Sequence, residues 1–337
     1  FNEFVASLEH IKIDKAEVDE ANFEAAENKF LDKNYKTAAT ALKKYLGRFE
    51  TPNYKIDALF YLAESELKTG NTDKALTYYK KVIDSRLNKF TVPSLITASR
   101  ITFSNNDHKA ALSHYISLEK AAKSEDNIKQ AIKGQMRSYF QLKQYDKAIK
   151  QANRVAKFDK LTQNAYIGHH MIKARSLYEL EQYDSSITYF NKVADTTTSE
   201  DGAKAKYWIA KAHYEQEEYK ETEDAVFRLI RHKPSYEKWV GKGFLLLADN
   251  YVKMDDLFQA KESLGSMIKN INIKNLKNKA ESKLKKIESM QEQEKRESKL
   301  EKQELEIDLG DINEENSELF EDIEEPGDST KSKNKEK

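Results

Sequence analysis

A short pattern of small and bulky apolar side chains recurs seven times along the 337-residue chain, about once every 37 residues. In each copy a small residue is followed four positions later by a usually bulky one, and three positions after that by another apolar one. Offsets of three and four residues place side chains on one face of a helix. The pattern therefore predicts seven amphipathic helices. Their small anchor residues are Ala38, Ala75, Ala111, Ala148, Ser186, Thr222 and Ala260.

A second set of mostly small residues lies twelve positions before these anchors and predicts a partner helix in each repeat. Small residues allow two helices to approach closely, so each repeat is expected to form a helical hairpin. A single hairpin cannot bury its apolar face alone, and neighbouring hairpins therefore stack. The predicted fold is all-α, an α-solenoid of about seven hairpins. The second set comprises Ala26, Ala63, Ser99, Met136, Ala174, Ala210 and Ala248.

The order of these residues, small in the first helix and small then bulky in the second, resembles the tetratricopeptide repeat family. The resemblance covers residues 19–272. The chain departs from the family pattern because the turn glycine occurs only as Gly70 and the helix-terminating proline only as Pro234. The resemblance implies a right-handed superhelix whose first helices line a concave groove. It also implies a scaffold that binds other proteins rather than an enzyme.

The chain outside the repeats divides into further segments. Residues 1–18 are interpreted as a linker or the remnant of a preceding repeat, which would make the chain the C-terminal part of a longer protein. Residues 273–303 carry a fading apolar stripe amid Lys and Glu, which is typical of a capping helix that continues as an extended charged helix. Residues 304–330 hold twelve acidic residues and no basic one, and a basic tip follows. With no core of its own, 304–337 is predicted to be disordered.

The residue inventory offers little for catalysis or metal binding. There is no cysteine and no glycine-rich phosphate loop, and the adjacent His169 and His170 point to different sides of a helix. We therefore predict no enzymatic activity, no cofactor and no metal. The longest apolar run, Phe244–Ala248, is far shorter than the roughly 20 residues that span a bilayer, so we expect no transmembrane segment. Positive charge is too dilute to favour nucleic-acid binding.

A candidate binding surface comes from the first helices of repeats three to six. Each of these helices carries a cation eleven positions before the anchor, followed three positions later by an aromatic residue on the same face. Such a wall is predicted to bind a protein or peptide that carries carboxylates, through bidentate arginine contacts and cation–π support. The alternatives are that the aromatics only pack and that the cations form a solvated face with local Glu partners. The predicted residues are Arg100, Phe103, Arg137, Phe140, Arg175, Tyr178, Tyr207, Lys211 and Tyr214.

The acidic tail is a candidate partner for this wall. Residues 304–325 alternate acids with Leu, Ile and Phe, a composition that complements cations and aromatics. The tail is therefore interpreted either as a competitor, docking on its own chain or on a neighbour, or as a solubilising extension.

Two stretches resemble a narrower group of proteins. Tyr54–Lys68 (YKIDALFYLAESELK) and Phe244–Lys261 (FLLLADNYVKMDDLFQAK) are similar to exported tetratricopeptide proteins of Bacteroidota, related to the outer-membrane assembly lipoprotein and cell-division coordinator families. This resemblance implies a periplasmic or outer-membrane-associated scaffold in a bacterium, with the cytoplasm as the other location. An alternative function is an envelope-structural or carbohydrate-facing module whose aromatic ladder stacks on sugars.

Overall fold

The computed structural model describes the backbone of residues 15–318 and the side chains of residues 15–303. Within this part the chain forms fifteen α-helices and no strand, so the all-α prediction is confirmed. The first helices of the seven repeats are α1 (Lys15–Leu31), α3 (Lys55–Lys68), α5 (Thr91–Ser104), α7 (Glu125–Gln141), α9 (Gln163–Glu179), α11 (Glu200–Glu215) and α13 (Glu237–Lys253). The second helices are α2 (Tyr35–Arg48), α4 (Thr72–Ile83), α6 (His108–Ala121), α8 (Tyr145–Val155), α10 (Tyr183–Thr196), α12 (Tyr219–Ile230) and α14 (Leu257–Asn270). The last helix is α15 (Lys274–Glu318).

The small residues that define the repeats are buried throughout. All seven anchors of the second helices are 0% exposed, and the seven matching residues of the first helices are at most 3% exposed. Bulky residues such as Leu42, Tyr79 and Phe190 are also 0% exposed. Burial of each of these contributes roughly 1.5–3 kcal/mol. The predicted arrangement of close helices with bulky side chains between them is therefore confirmed.

Each first helix is followed, two positions after its last residue, by a residue with left-handed backbone. At the end of α9, for example, the Glu181 N–H donates to the Tyr178 carbonyl and the Gln182 N–H to the Leu177 carbonyl, both at 2.9 Å. These bonds form the common left-handed helix cap, a position that favours glycine. Only one of the seven positions is a glycine, which is why turn glycines do not mark the repeats in the sequence. The seven residues are Lys33, Gly70, Asn106, Lys143, Glu181, Glu217 and Asp255, with φ between 57° and 84°.

The described chain divides into two compact units. The first runs to Glu218 and includes His232–Pro234, whereas the second comprises Tyr219–Arg231 and the chain from Ser235 onward. All nine predicted binding residues belong to the first unit. The first unit thus carries the candidate surface.

The second unit is built from α12 to α15. Gly243 allows α13 and α12 to meet, since a Cβ there would lie 3.0 Å from Leu229 Cδ2. The Tyr251 hydroxyl donates to Glu223 at 2.6 Å. The first turns of α15 bury Leu276, Ala280 and Ile287, so this helix caps the repeats of its unit.

The C-terminal helix is longer than the sequence predicted. It continues to Glu318, whereas disorder was predicted from residue 304. Residues 304–318 include several Glu and Leu residues, which favour a helix. The remainder of the predicted tail, 319–337, and residues 1–14 of the predicted linker lie outside the described residues. In the described part no helix is both long and apolar enough to cross a membrane.

Candidate functional site

The nine predicted residues all lie on the first helices of repeats three to six. Arg100 and Arg137 are exposed, whereas the other seven are half-buried. The aromatic members therefore also contribute to packing, as one of the alternative interpretations of the sequence proposed.

The cations and aromatics pair across repeats. Arg137 Cζ lies 5.7 Å from the centroid of the Phe103 ring. Arg175 Cζ lies 5.6 Å from the Phe140 centroid, and Lys211 Nζ lies 5.9 Å from the Tyr178 centroid.

The sequence analysis listed each cation beside the aromatic of its own helix, whereas these three contacts run to the aromatic of the preceding repeat. Arg137, Arg175 and Lys211 each lie near a ring of the preceding repeat. Arg100 does not, because the matching position in repeat two is Leu67, which offers no ring.

One residue of this surface was missed by the sequence reasoning. Trp208, on α11, has its ring centroid 3.6 Å from Arg175 Cζ. The same ring meets Tyr178 edge-on, with the centroids 4.9 Å apart, and lies 5.6 Å from Tyr207. The available signal was that Trp208 is one of two tryptophans in the chain and directly follows Tyr207.

Acidic residues neutralise the cations of repeats five and six. Arg175 Nη2 donates to Glu179 Oε1 at 3.0 Å, and Lys211 Nζ donates to Glu215 Oε1 at 2.6 Å. The Tyr178 hydroxyl also donates to Glu215, at 3.0 Å. Burial opposes ionisation of Glu215, but the hydrogen bonds from Lys211 and Tyr178 outweigh it and lower the pKa of this carboxyl. Burial and then the bond to Glu215 raise the pKa of the Tyr178 hydroxyl.

Repeats three and four lack this neutralisation. The residues four positions after Arg100 and Arg137 are Ser104 and Gln141, which carry no charge. Among the described side chains neither arginine forms an ion pair. The two exposed guanidinium groups therefore keep their full charge and their hydrogen-bond donors for a partner.

Family models match two parts of the chain. Both are described as tetratricopeptide repeat, and they cover residues 57–85 and 173–237. The matched residues coincide with repeats that the structure forms from paired helices. These two parts of the chain are tetratricopeptide repeats by sequence. No curated protein sequence matches it.

Two solved structures share its fold. The apo form of RapI aligns with a TM-score of 0.54 at 15% identity, covering 90% of this chain and 94% of that one. The C-terminal part of a repeat protein from Cytophaga hutchinsonii aligns with a TM-score of 0.54 at 14% identity, covering 75% and 97% of the two chains. At these identities the similarity establishes the fold alone.

Tetratricopeptide repeat proteins typically bind other proteins and act as scaffolds without enzymatic activity. In the described part of this repeat protein, no group of three His, Cys, Asp or Glu residues is arranged to hold a metal ion.

Proposed function

We propose that this repeat protein is a protein–protein interaction scaffold that binds an acidic peptide segment on the first helices of repeats three and four. The observation that carries the proposal is the unpaired state of Arg100 and Arg137, which are exposed and in register. Arg175 and Lys211 occupy the same register but are already ion-paired.

The chemistry of the surface fits a carboxylate-bearing chain. An arginine can bind a carboxylate with two parallel hydrogen bonds. Phe103 is half-buried between the two arginines along the chain and is faced by Arg137 on one side. Its remaining exposed area offers contact to an apolar side chain of the same peptide.

The test is a double charge reversal, Arg100→Glu with Arg137→Glu. Peptides selected by the parent protein from a displayed random library serve as probes. We expect at least a tenfold loss of affinity, since each arginine contact is replaced by repulsion. The matched control is Arg86→Glu with Arg296→Glu, two exposed arginines elsewhere, which should change affinity less than twofold. Equal losses in the two double variants would contradict the proposal.

Salt dependence separates this function from a carbohydrate-facing one. Affinity for an acidic peptide should fall as ionic strength rises, because surface charges are screened. Affinity for a neutral sugar that stacks on the aromatic rings should not change with ionic strength. The rings of Phe103, Phe140 and Tyr178 each have a cation of the next repeat near them, which favours the peptide over the sugar.

We also propose that the acidic segment 304–325 competes for this surface. Its sequence alternates acids with apolar residues. The acids complement the charge of the two arginines, and the apolar residues complement the Phe103 ring. Deletion of 304–337 should raise the affinity for a selected acidic peptide by several-fold. An unchanged affinity would rule the competition out.

A location in the bacterial envelope is proposed on the resemblance of Tyr54–Lys68 and Phe244–Lys261 alone. Fractionation of the native organism, with an antibody raised against this chain, tests it. Recovery with the periplasmic or outer-membrane fraction is expected, and recovery with cytoplasmic markers would contradict it.

A further inference from the structure

A cleft of about 240 Å³ separates α7 from α9 in the first unit. Lys133, Met136 and Arg137 line it from α7. The opposite wall is the N-terminal half of α9, including Thr162, Gly168 and His169. Since one water molecule occupies roughly 30 Å³, the cleft has room for a small hydrated ion but not for a large ligand.

The electrostatics of the cleft favour an anion. Lys133 and Arg137 are one turn apart on α7, and neither pairs with a carboxylate among the described side chains. No Asp or Glu lines the cleft. The N-terminus of α9 faces it, and the first N–H groups of a helix lack intrahelical partners. Of these groups, only the Ala165 N–H donates a hydrogen bond to the Thr162 hydroxyl, at 3.3 Å.

His169 provides an independent indication that a ligand belongs there. Its side chain lines the cleft and is only 2% exposed. Its Nδ1 is buried without a hydrogen-bond partner, and a buried polar atom left in this state costs roughly 1–3 kcal/mol. Burial, with Lys173 and Lys192 nearby, lowers the pKa of His169 to about 4. The ring is therefore neutral near pH 7 and retains one N–H that can donate to an oxyanion.

We propose that this cleft is an oxyanion site that binds phosphate, either as the free ion or as a monoester. Its donors come from both walls, with Lys133 and Arg137 on one side and His169 and the helix N-terminus on the other. Donors on several sides suit a tetrahedral dianion better than a planar carboxylate, which presents its oxygens in one plane. The site shares Arg137 with the peptide surface proposed above but does not depend on it, because its test needs no partner.

Gly168 supplies a specific test. A Cβ at this position would meet no atom within 4 Å, so a side chain there enters the cleft without disturbing the packing. Gly168→Asp places a carboxylate among the cations, and Gly168→Asn places a neutral group of the same size there. Gly265 also lies within a helix with open space around it, so Gly265→Asp is the matched control in the other unit.

The experiment follows the imidazole resonances of ¹⁵N-histidine-labelled full-length protein, with His169 assigned from His169→Gln. Sodium phosphate, N-acetyl-phosphoserine amide and sodium acetate are titrated at constant ionic strength. We expect saturable shifts of the His169 signals with one or both phosphates, and the tighter of the two identifies the source of the ligand. Gly168→Asp should weaken this binding at least tenfold and Gly168→Asn less, while Gly265→Asp should change it less than twofold.

Three results would overturn the proposal. One is a shift that rises linearly without saturation for both phosphates. Another is acetate binding as tightly as phosphate. The third is a Gly168→Asp variant that folds, by circular dichroism, and binds like the parent. None of these results bears on capture of an acidic peptide, so the two proposals can fail separately.

Discussion

Repeats three and four place an arginine at the same helical position as the cations of repeats five and six, yet the two regions use that position differently. In repeats five and six the residue four positions on is Glu179 or Glu215, and each forms an ion pair with its cation. In repeats three and four that residue is Ser104 or Gln141, and the arginine stays unpaired. Trp208 reinforces the contrast, because it packs against Arg175.

The difference shows that recurrence in register does not by itself identify a binding surface. Arg175 and Lys211 are each neutralised by a glutamate of their own helix. Among the described side chains, no carboxylate neutralises Arg100 or Arg137. The residue four positions later on the same face, rather than the cation itself, separates the two roles.

The largest expected effect of a single substitution comes from removing the tryptophan that fixes repeats five and six. Trp208→Ala should lower the free energy of unfolding by about 3 kcal/mol, the lower end for loss of a large packed aromatic. The ring contacts Arg175, Tyr178 and Phe190, and all three lose a partner. Urea unfolding followed by circular dichroism measures the change. Phe103→Ala is the comparison in repeat three, and a loss as large as that for Trp208 would show that both regions are packed alike.

The second effect concerns pH and the paired histidines of repeat five. Burial lowers the pKa of His169 and His170 to about 4, well below the usual value near 6.5. The unfolded chain therefore binds more protons than the folded one between these values, and stability falls as the pH drops through this range. We expect a loss of about 2 kcal/mol for each histidine between pH 7 and pH 4.5.

The variant His169→Gln with His170→Gln should show a shallower decline in urea unfolding over the same range. Above pH 7 the parent and the variant should run parallel, because neither histidine titrates there. A parent and a variant that decline equally between pH 7 and pH 4.5 would show that other groups cause the loss.

The third effect compares the arginines themselves. Arg175→Ala should cost about 1–2 kcal/mol, since it removes a close cation–π contact and a half-buried ion pair. Arg137→Ala should cost less than about 0.5 kcal/mol, as expected of an exposed side chain. Thermal or urea unfolding of the two variants decides the matter. Equal costs would remove the distinction between the neutralised cations and the available ones.

Much of the fold was predictable from the sequence, because small residues at fixed helical offsets can be recognised without knowing what they touch. Ala38 and its six counterparts marked the second helix of each repeat, and all are buried as the pattern predicted. The pairing of cations with rings was not predictable in the same way. Arg137 meets Phe103 of the previous repeat, and spacing within one helix does not show which ring of a neighbouring helix a cation will reach.

The remaining features were hidden for different reasons. Trp208 has no aromatic counterpart at the same position of repeats four and five, which is occupied by Gly134 and Ile172. The periodic pattern therefore did not predict its role. Lys133 was visible in the sequence, but the cleft that places it opposite His169 depends on two helices from different repeats.

The smallest expected change in stability comes from exchanging the acids that distinguish the two regions. Gln141→Glu gives Arg137 a partner four residues away, and Glu179→Gln removes that of Arg175. A helical ion pair with the cation first contributes only a few tenths of a kcal/mol, so neither variant should unfold. Binding should nevertheless respond, because the new carboxylate on α7 occupies the arginine that the partner requires. We expect Gln141→Glu to weaken a selected acidic peptide by about tenfold, equivalent to about 1.4 kcal/mol.

The reciprocal variant sharpens the same comparison. If the ion pair with Glu179 is all that keeps Arg175 from binding a peptide, then Glu179→Gln should give a measurable gain in peptide affinity. If Trp208 also holds the guanidinium, as the 3.6 Å separation indicates, the gain should be absent in Glu179→Gln. Fluorescence anisotropy with a labelled peptide measures both variants. Unchanged affinity in Gln141→Glu would show that Arg137 does not contact the peptide, and the binding surface would then have to lie elsewhere on the repeats.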